Sequence, residues 1–326
     1  MAHVDTALPA LGQIREARRR IAGSAIRTPL VRLNTFDTAA EIHLKLENLQ
    51  PIGSFKIRGA ANAIAHMSPE QLARGVVTAS AGNMAQGAAW RARELGIPCT
   101  VIAPETAPAT KIAAIERLGG RVIKVPFERW WQTFQERSFP GIDATFIHAF
   151  DDPYVMAGNG TIALEIAEDL PDVDAIVIPW GGGGLTCGIA AAMRALKPDC
   201  RLFAAEVAGA APLAASLAAG SPQVVDYQPS FVDGIGSKAV FPRMFERART
   251  LIDGSLVASV EEVAAAVRLI AERNRVIAEG AGACPVACAL SGKAGGGKIV
   301  CIVSGGNIDL HKLCATFGQQ SSGTKS

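Results

Sequence analysis

The sequence predicts an α/β fold of two domains, each built on a mostly parallel, twisted sheet flanked by helices. Three observations predict it. Short apolar runs alternate with Ala- and Leu-rich stretches of helical length. The chain is 49% hydrophobic and only 19% charged, enough to bury a large core. Its 326 residues exceed the usual size of a single domain.

In chain order, Ile42–Glu47 alternates polar and apolar side chains and reads as an edge or half-buried strand. Val76–Thr78, Thr100–Ala103, Val122–Val125, Thr145–His148, Ala175–Pro179, Leu202–Ala205 and Ile299–Val303 read as strands buried on both faces. Helices are expected at 84–95, 108–118, 160–170, 186–196 and 261–273. Several stop at Gly96, Gly119–Gly120 or Lys197–Pro198. The segment 129–143, with Trp130, Trp131, Phe134 and Pro140, breaks this rhythm. A boundary near 145–150 follows, with the pattern restarting at Thr145. Gln320–Ser326 reads as a polar tail.

Composition excludes several classes. The formal charge is +2, from 32 basic and 30 acidic residues, without the basic excess of a nucleic-acid binder. No apolar run reaches the ~18–20 residues needed to span a bilayer. Met1–Arg20 lacks an apolar signal segment and carries a charged run. The seven cysteines form no CxxC pair and no disulfide or zinc pattern, so a reducing cytoplasm is expected.

Gly181–Gly184 follows the strand ending at Pro179 and precedes a helix. Glycines there let the backbone approach an anion, and the helix N-terminus adds N–H donors. This reads as a phosphate cradle. A dinucleotide fingerprint would need a third glycine where Cys187 stands, although Glu206 lies near the place of a ribose-binding acid. A nucleotide-dependent dehydrogenase is therefore the second reading. Gly292–Lys298 mimics a P-loop, but it has Ile299 in place of a hydroxyl and precedes a strand, so it reads as a turn.

Ser54 is a candidate N-cap, which places Lys56 in a first helical turn. There the helix dipole disfavours the ammonium and lowers its pKa. An accessible neutral amine can form a Schiff base.

The flanks of Lys56 resemble a known family. Lys45-Leu-Glu47, Ser54-Phe55-Lys56 and Arg58-Gly59-Ala60 are similar to the lysine segment of fold type II pyridoxal-phosphate enzymes, in the threonine/serine dehydratase–serine racemase family. Ser80–Gly87 resembles their substrate loop and Gly181–Gly184 their phosphate loop. Gly158–Thr161 resembles the start of the helix that precedes the phosphate loop. Ala278–Gly282 and Ser304–Asn307 resemble the two C-terminal motifs. The likeness runs in order from about Arg27 to Leu310. It implies a large cofactor-binding domain of 1–70 and 148–326, and a small mobile substrate-loop domain of 75–145. It also implies a homodimer and, from where the chain ends, no C-terminal regulatory domain.

The resemblance assigns roles. Lys56 holds pyridoxal 5'-phosphate as a Schiff base and then acts as the base at Cα. Phe55 packs near the cofactor, Asn83 bonds its ring hydroxyl, Gly181, Gly182, Gly183 and Gly184 bind its phosphate, and Ser304 meets its pyridine nitrogen. Main-chain N–H groups of Ser80, Ala81, Gly82, Asn83 and Met84 bind the substrate carboxylate. A neutral hydroxyl at Ser304 leaves the ring a weaker electron sink than an aspartate would, which favours loss of a β-leaving group.

Three departures matter. Met84 stands where the family often has histidine, as a packing swap or a drier site. Ala81 stands where its racemases have a serine acid/base, which favours elimination. Racemases of the family also bind a divalent cation after the strand 202–205. Glu206 is a candidate ligand, but Pro212 occupies the expected second position, so a monovalent or divalent cation is left open. Trp130 and Trp131 read either as core or as a wall of the side-chain pocket.

The implied reaction is dehydration and deamination of a β-hydroxy amino acid, L-threonine or L-serine by default, to a 2-oxo acid and ammonia. Other readings are a lyase or synthase of the same fold, a hydroxyaspartate or aryl-serine dehydratase, the dehydrogenase, and a non-catalytic small-molecule binder.

Overall fold

A computed structural model describes residues 7–35 and 38–318; the expected polar tail lies outside them. The strands are β1 (Leu30–Arg32), β2 (Ala40–Leu46), β3 (Val76–Ala79), β4 (Cys99–Pro104), β5 (Arg121–Val125), β6 (Thr145–Phe146), β7 (Ala175–Pro179), β8 (Arg201–Val207), β9 (Gly254–Ala258) and β10 (Gly297–Val303). The first seven helices are α1 (Leu11–Arg20), α2 (Lys56–Ile64), α3 (Pro69–Arg74), α4 (Asn83–Leu95), α5 (Ala109–Arg117), α6 (Phe127–Glu136) and α7 (Pro153–Asp169). The remainder are α8 (Gly184–Leu196), α9 (Pro212–Ala219), α10 (Pro242–Ala248), α11 (Val260–Leu269), α12 (Gly280–Leu290) and α13 (Leu310–Gly318).

The strands form two sheets, ordered β1-β2-β10-β7-β8-β9 and β5-β4-β3-β6. Only β1 runs antiparallel to its neighbour. The expected edge strand, β2, therefore lies one place in, paired with β1 on one side and β10 on the other. Its alternation survives because its first half is only half-buried. Apolar cores fill both faces of the larger sheet, with Trp180 and Phe245 on one side and Leu44 and Val303 on the other.

Two local expectations fail for packing reasons. The segment 129–143 does not break the βα rhythm: α6 connects β5 to β6, with Trp130 and Phe134 one turn apart. Gly158–Thr161 does not start a helix but lies inside α7, which begins where Asp152 accepts N–H bonds from Tyr154 and Val155. Glycine is tolerated there because neighbours crowd the helix. A Cβ on Gly158 would lie 2.3 Å from the Arg58 carbonyl, and one on Gly160 2.7 Å from that of Gly188.

A buried ion network holds α2 in place. Arg58 bonds Glu47 and Glu165, and Lys45 bonds Glu165 and the Thr28 carbonyl. Burial opposes the charge on Glu47, but Arg58 outweighs it and holds the carboxyl below its usual range. Once formed, such a network is costly to break, because removing one partner strands the other charge.

Candidate active site

Lys56 opens α2, yet Ser54 does not cap it. Phe55 occupies the cap position in a helical conformation, and the buried Ser54 Oγ has no hydrogen-bond partner. Main-chain pairing fixes this loop instead. Phe55 N–H donates to the Ser304 carbonyl at 3.0 Å, and Gly306 N–H donates to that of Gly53 at 2.9 Å. The lysine loop is thereby stitched to the loop that leaves β10.

Lys56 Nζ donates to the Ala149 carbonyl at 2.7 Å. Its pKa is lowered to about 8, and the cause is burial, with Glu279 pulling the other way. The expected direction is met, but desolvation replaces the helix dipole as the cause.

Lys56 faces a cavity of about 530 Å³, lined by Phe55, Ser80, Ala81, Gly82, Asn83, Met84, Gly181, Gly182, Gly183, Gly184 and Ser304. All of the cofactor and substrate residues expected from the sequence therefore meet in one cleft. Met84 is also only 2% exposed and belongs to the core beside Ala85 and Ala88, which supports the packing swap.

The substrate loop differs from expectation in detail. Ser80 N–H is spent on the Ile102 carbonyl, and Gly82 N–H donates to Ser80 Oγ. Asn83 and Met84 occupy the first positions of α4, where a main-chain N–H has no helical acceptor. The Asn83 side chain donates to Glu279 at 3.0 Å and accepts from Asn307 at 2.8 Å.

Each residue of the tetraglycine has a steric reason. A Cβ on Gly182 would lie 2.0 Å from the Phe150 ring, and one on Gly184 2.6 Å from the Phe150 carbonyl. Gly183 has φ +89° and its Cβ would meet the Trp180 ring at 2.4 Å, while Gly181 lies against the Gly234 carbonyl. With α8 starting at Gly184, the loop offers main-chain N–H groups and a helix N-terminus to an anion.

Glu206 lies elsewhere. Its carboxylate accepts from Leu213 and Ala214 N–H at the start of α9 and from the Ser255 hydroxyl. Its neighbours are hydrogen-bond donors rather than metal ligands or a ribose pocket. Among the described residues, no group of three or more His, Cys, Asp or Glu side chains could hold a metal ion.

Sequence reasoning gave no role to Glu279, whose burial lifts its pKa to about 7, helped by the nearby Asp233 charge. It also missed Phe150, Trp180 and Phe241, which line the same cavity. Glu279 lies within the Ala278–Gly282 motif and Trp180 directly before the tetraglycine, so their segments were marked, but nothing in the linear sequence marks Phe150 or Phe241 as neighbours of Lys56.

A family model described as pyridoxal-phosphate dependent enzyme matches residues 21–305. The chain belongs to this family. An L-threonine ammonia-lyase of Thermotoga maritima is 41% identical over 311 residues, 93% of this chain and 77% of that protein. Maize serine racemase superposes with a TM-score of 0.87 at 34% identity, covering 95% of this chain and 97% of that one. A processed threonine deaminase isoform 2 of Solanum lycopersicum gives 0.82 at 32% identity, covering 94% and 92%. Like the rest of the family, the chain is a pyridoxal-phosphate enzyme, with two mostly parallel sheets flanked by helices. The cleft suits this cofactor: a glycine cradle that side chains would fill stands opposite a buried amine of lowered pKa. No helix among the described residues is long and apolar enough to cross a membrane.

Proposed function

We propose that this chain dehydrates and deaminates a β-hydroxy amino acid, with L-threonine as the reference substrate, releasing a 2-oxo acid and ammonia. The observation that carries this reading is the convergence of the lysine, substrate, tetraglycine and Ser304 loops on one cleft around Lys56 Nζ. Identity with the threonine ammonia-lyase supports the choice of substrate.

Bound pyridoxal phosphate supplies the electron sink that makes the substrate's Cα–H acidic. In this proposal Lys56 Nζ anchors the cofactor, and the main-chain N–H groups of Gly181–Gly184 hold its phosphate. Ser304 would meet the pyridine nitrogen, and Phe55 and Asn83 would hold the ring. The free N–H groups at the start of α4 orient the substrate carboxylate. Lys56 Nζ, once released, would take the Cα proton. The β-hydroxide would depart as water with one proton, balanced by the Cα proton that Lys56 took up, and a later water would release the nitrogen as ammonia and leave the 2-oxo acid. Ala81 carries no second acid/base, so the reaction runs to elimination rather than racemisation. The smaller sheet and its helices, residues 75–145, are the part proposed to move over the substrate. Assembly as a homodimer in the cytoplasm belongs to the same reading; six cysteines are buried and unpaired.

The test is a screen of β-hydroxy amino acids for 2-oxo acid release by the cofactor-loaded enzyme, with Lys56→Ala as control. Release by wild type and none by the variant supports the proposal. Equal release by both removes Lys56 from the reaction.

A further inference from the structure

One side of the cleft is aromatic. Phe150 directly follows Ala149, whose carbonyl receives the Lys56 amine. Its ring meets Phe134 at 5.5 Å and Phe241 at 5.3 Å. Trp131 stacks on Phe134 at 5.7 Å and touches Phe241 at 5.8 Å. All of these rings line the cavity, and Trp131, 36% exposed, lies where the wall opens to solvent.

The rings come from separate parts of the chain: Trp131 and Phe134 from α6, Phe150 from the loop before α7, and Phe241 from the cap of α10. Each of these segments also sends a charged group to one point behind the wall. Asp151 accepts from Arg137 and Arg247 at 2.6 Å and from Arg243 at 3.4 Å. The wall is therefore a continuous surface assembled from three segments that are tied together at Asp151. The charged side chains lining the cavity are Lys56, Lys111, Asp233 and Glu279, and Lys111 is already paired with Asp233. Among the described residues, no arginine lines it.

Resting on the reaction proposed above, we infer that Trp131, Phe134, Phe150 and Phe241 form the side-chain subsite, selecting β-hydroxy amino acids whose Cβ substituent is apolar and larger than methyl. The wall begins one residue from the group that holds the reacting amine, so a substituent on the adjacent Cβ meets aromatic surface. Each added carbon gains apolar contact there. A second carboxylate would be desolvated against the rings without a free cation.

The experiment compares serine, threonine, threo-phenylserine and 3-hydroxyaspartate on the cofactor-loaded enzyme. It measures kcat/KM for 2-oxo acid release and, separately, binding by the change in cofactor absorbance. Phenylserine is expected to exceed serine by about tenfold or more in both, the discrimination that apolar pockets give, and 3-hydroxyaspartate to rank last. Trp131→Ala should cut the phenylserine-to-serine ratio about tenfold, whereas Trp131→Phe should restore much of it. Phe241→Leu provides a second reading of the ratio if Trp131→Ala does not fold. Serine, threonine or hydroxyaspartate ranking first, or a ratio unmoved in the folded variants, overturns the inference. If no amino acid releases a 2-oxo acid but phenylserine still binds best, the reaction proposal falls while the subsite stands.

Discussion

Burial, rather than the helix dipole, sets the chemistry of Lys56. With its pKa lowered to about 8, the folded chain sheds this proton at a pH where the unfolded chain, near the usual 10.5, still holds it. Between those values the unfolded state binds more protons, so Lys56 makes the stability of the cofactor-free protein rise with pH. Glu279 gives the opposite slope. Its pKa of about 7 lies above the usual 4.5, so the folded state binds more protons in between and stability falls as pH rises through that window. Denaturant titrations at several pH values should show the first slope vanish in Lys56→Met and the second in Glu279→Gln. Ala81 yields a prediction of another kind. Wild type should form D-serine from L-serine far more slowly than it releases the 2-oxo acid, and Ala81→Ser should raise D-serine formation. Chiral analysis of the remaining serine measures both; racemisation matching elimination in wild type would mean that another group replaces the missing hydroxyl.

At the scale of elements, the phosphate loop and the aromatic wall depend on each other. Phe150 lies over Gly182 so closely that a methyl group there has no room. Gly182→Ala should destabilise the protein by about 1–3 kcal/mol through overpacking and weaken cofactor retention. Adding Phe150→Ala should recover part of that stability, because it removes the atoms the methyl would strike. Thermal unfolding of both variants, with cofactor content measured alongside, checks the coupling. Asp151 gathers the ends of the segments that bear the rings. Despite burial, its carboxyl is held below the usual range by the Arg247 hydrogen bond and the Arg137 charge. His148 braces the same turn, since its Nδ1 accepts from Phe150 and Asp151 N–H. Burial and the nearby Arg137 push its pKa down to about 3, so the ring stays neutral and able to accept. Asp151→Asn should cost about 1.5–3 kcal/mol, the range for hydrogen bonds to charged groups, read as a lower denaturant midpoint. An unchanged midpoint would mean that the arginines find other partners.

Across the whole molecule, loops that follow strands of both sheets line the cleft, and charged side chains from both halves pair there. Lys111 of α5 pairs with Asp233 at 3.3 Å, and Lys312 of α13 reaches the same carboxylate at 3.0 Å. These groups are between a third and a half exposed, so solvent screens them and each pair is worth about 0–1 kcal/mol. Lys111→Ala should therefore leave the unfolding midpoint nearly unchanged, as a denaturant titration would show. A large loss would mean that the pair is a principal tie between the two halves. The tie to expect instead is α2, which carries Lys56 and is anchored by the buried Arg58 network.

Although β1, β9 and several short helices were not, eight of the ten described strands, the helices that follow β3, β4 and β7, the parallel sheets and the loops that carry Lys56, Asn83, Gly181–Gly184 and Ser304 were legible in the sequence. Each is a local pattern: an apolar run, a helix stop, or small residues at a strand end. Tertiary structure alone decided how those loops meet. The Phe55–Ser304 and Gly306–Gly53 stitching, the burial that lowers the Lys56 pKa and the ring over Gly182 all join residues far apart in the chain. The same reason explains the errors. Gly158 reads as a helix start when taken alone, but as an interior residue once the Arg58 carbonyl lies against it. Glu206, left open as a ligand, takes the first N–H groups of α9 on its carboxylate, a contact that no local pattern shows. Backbone preference and periodicity act over a few neighbours and are written in the sequence; desolvation and close approach depend on which distant atoms fill the space, and only the folded chain fixes those.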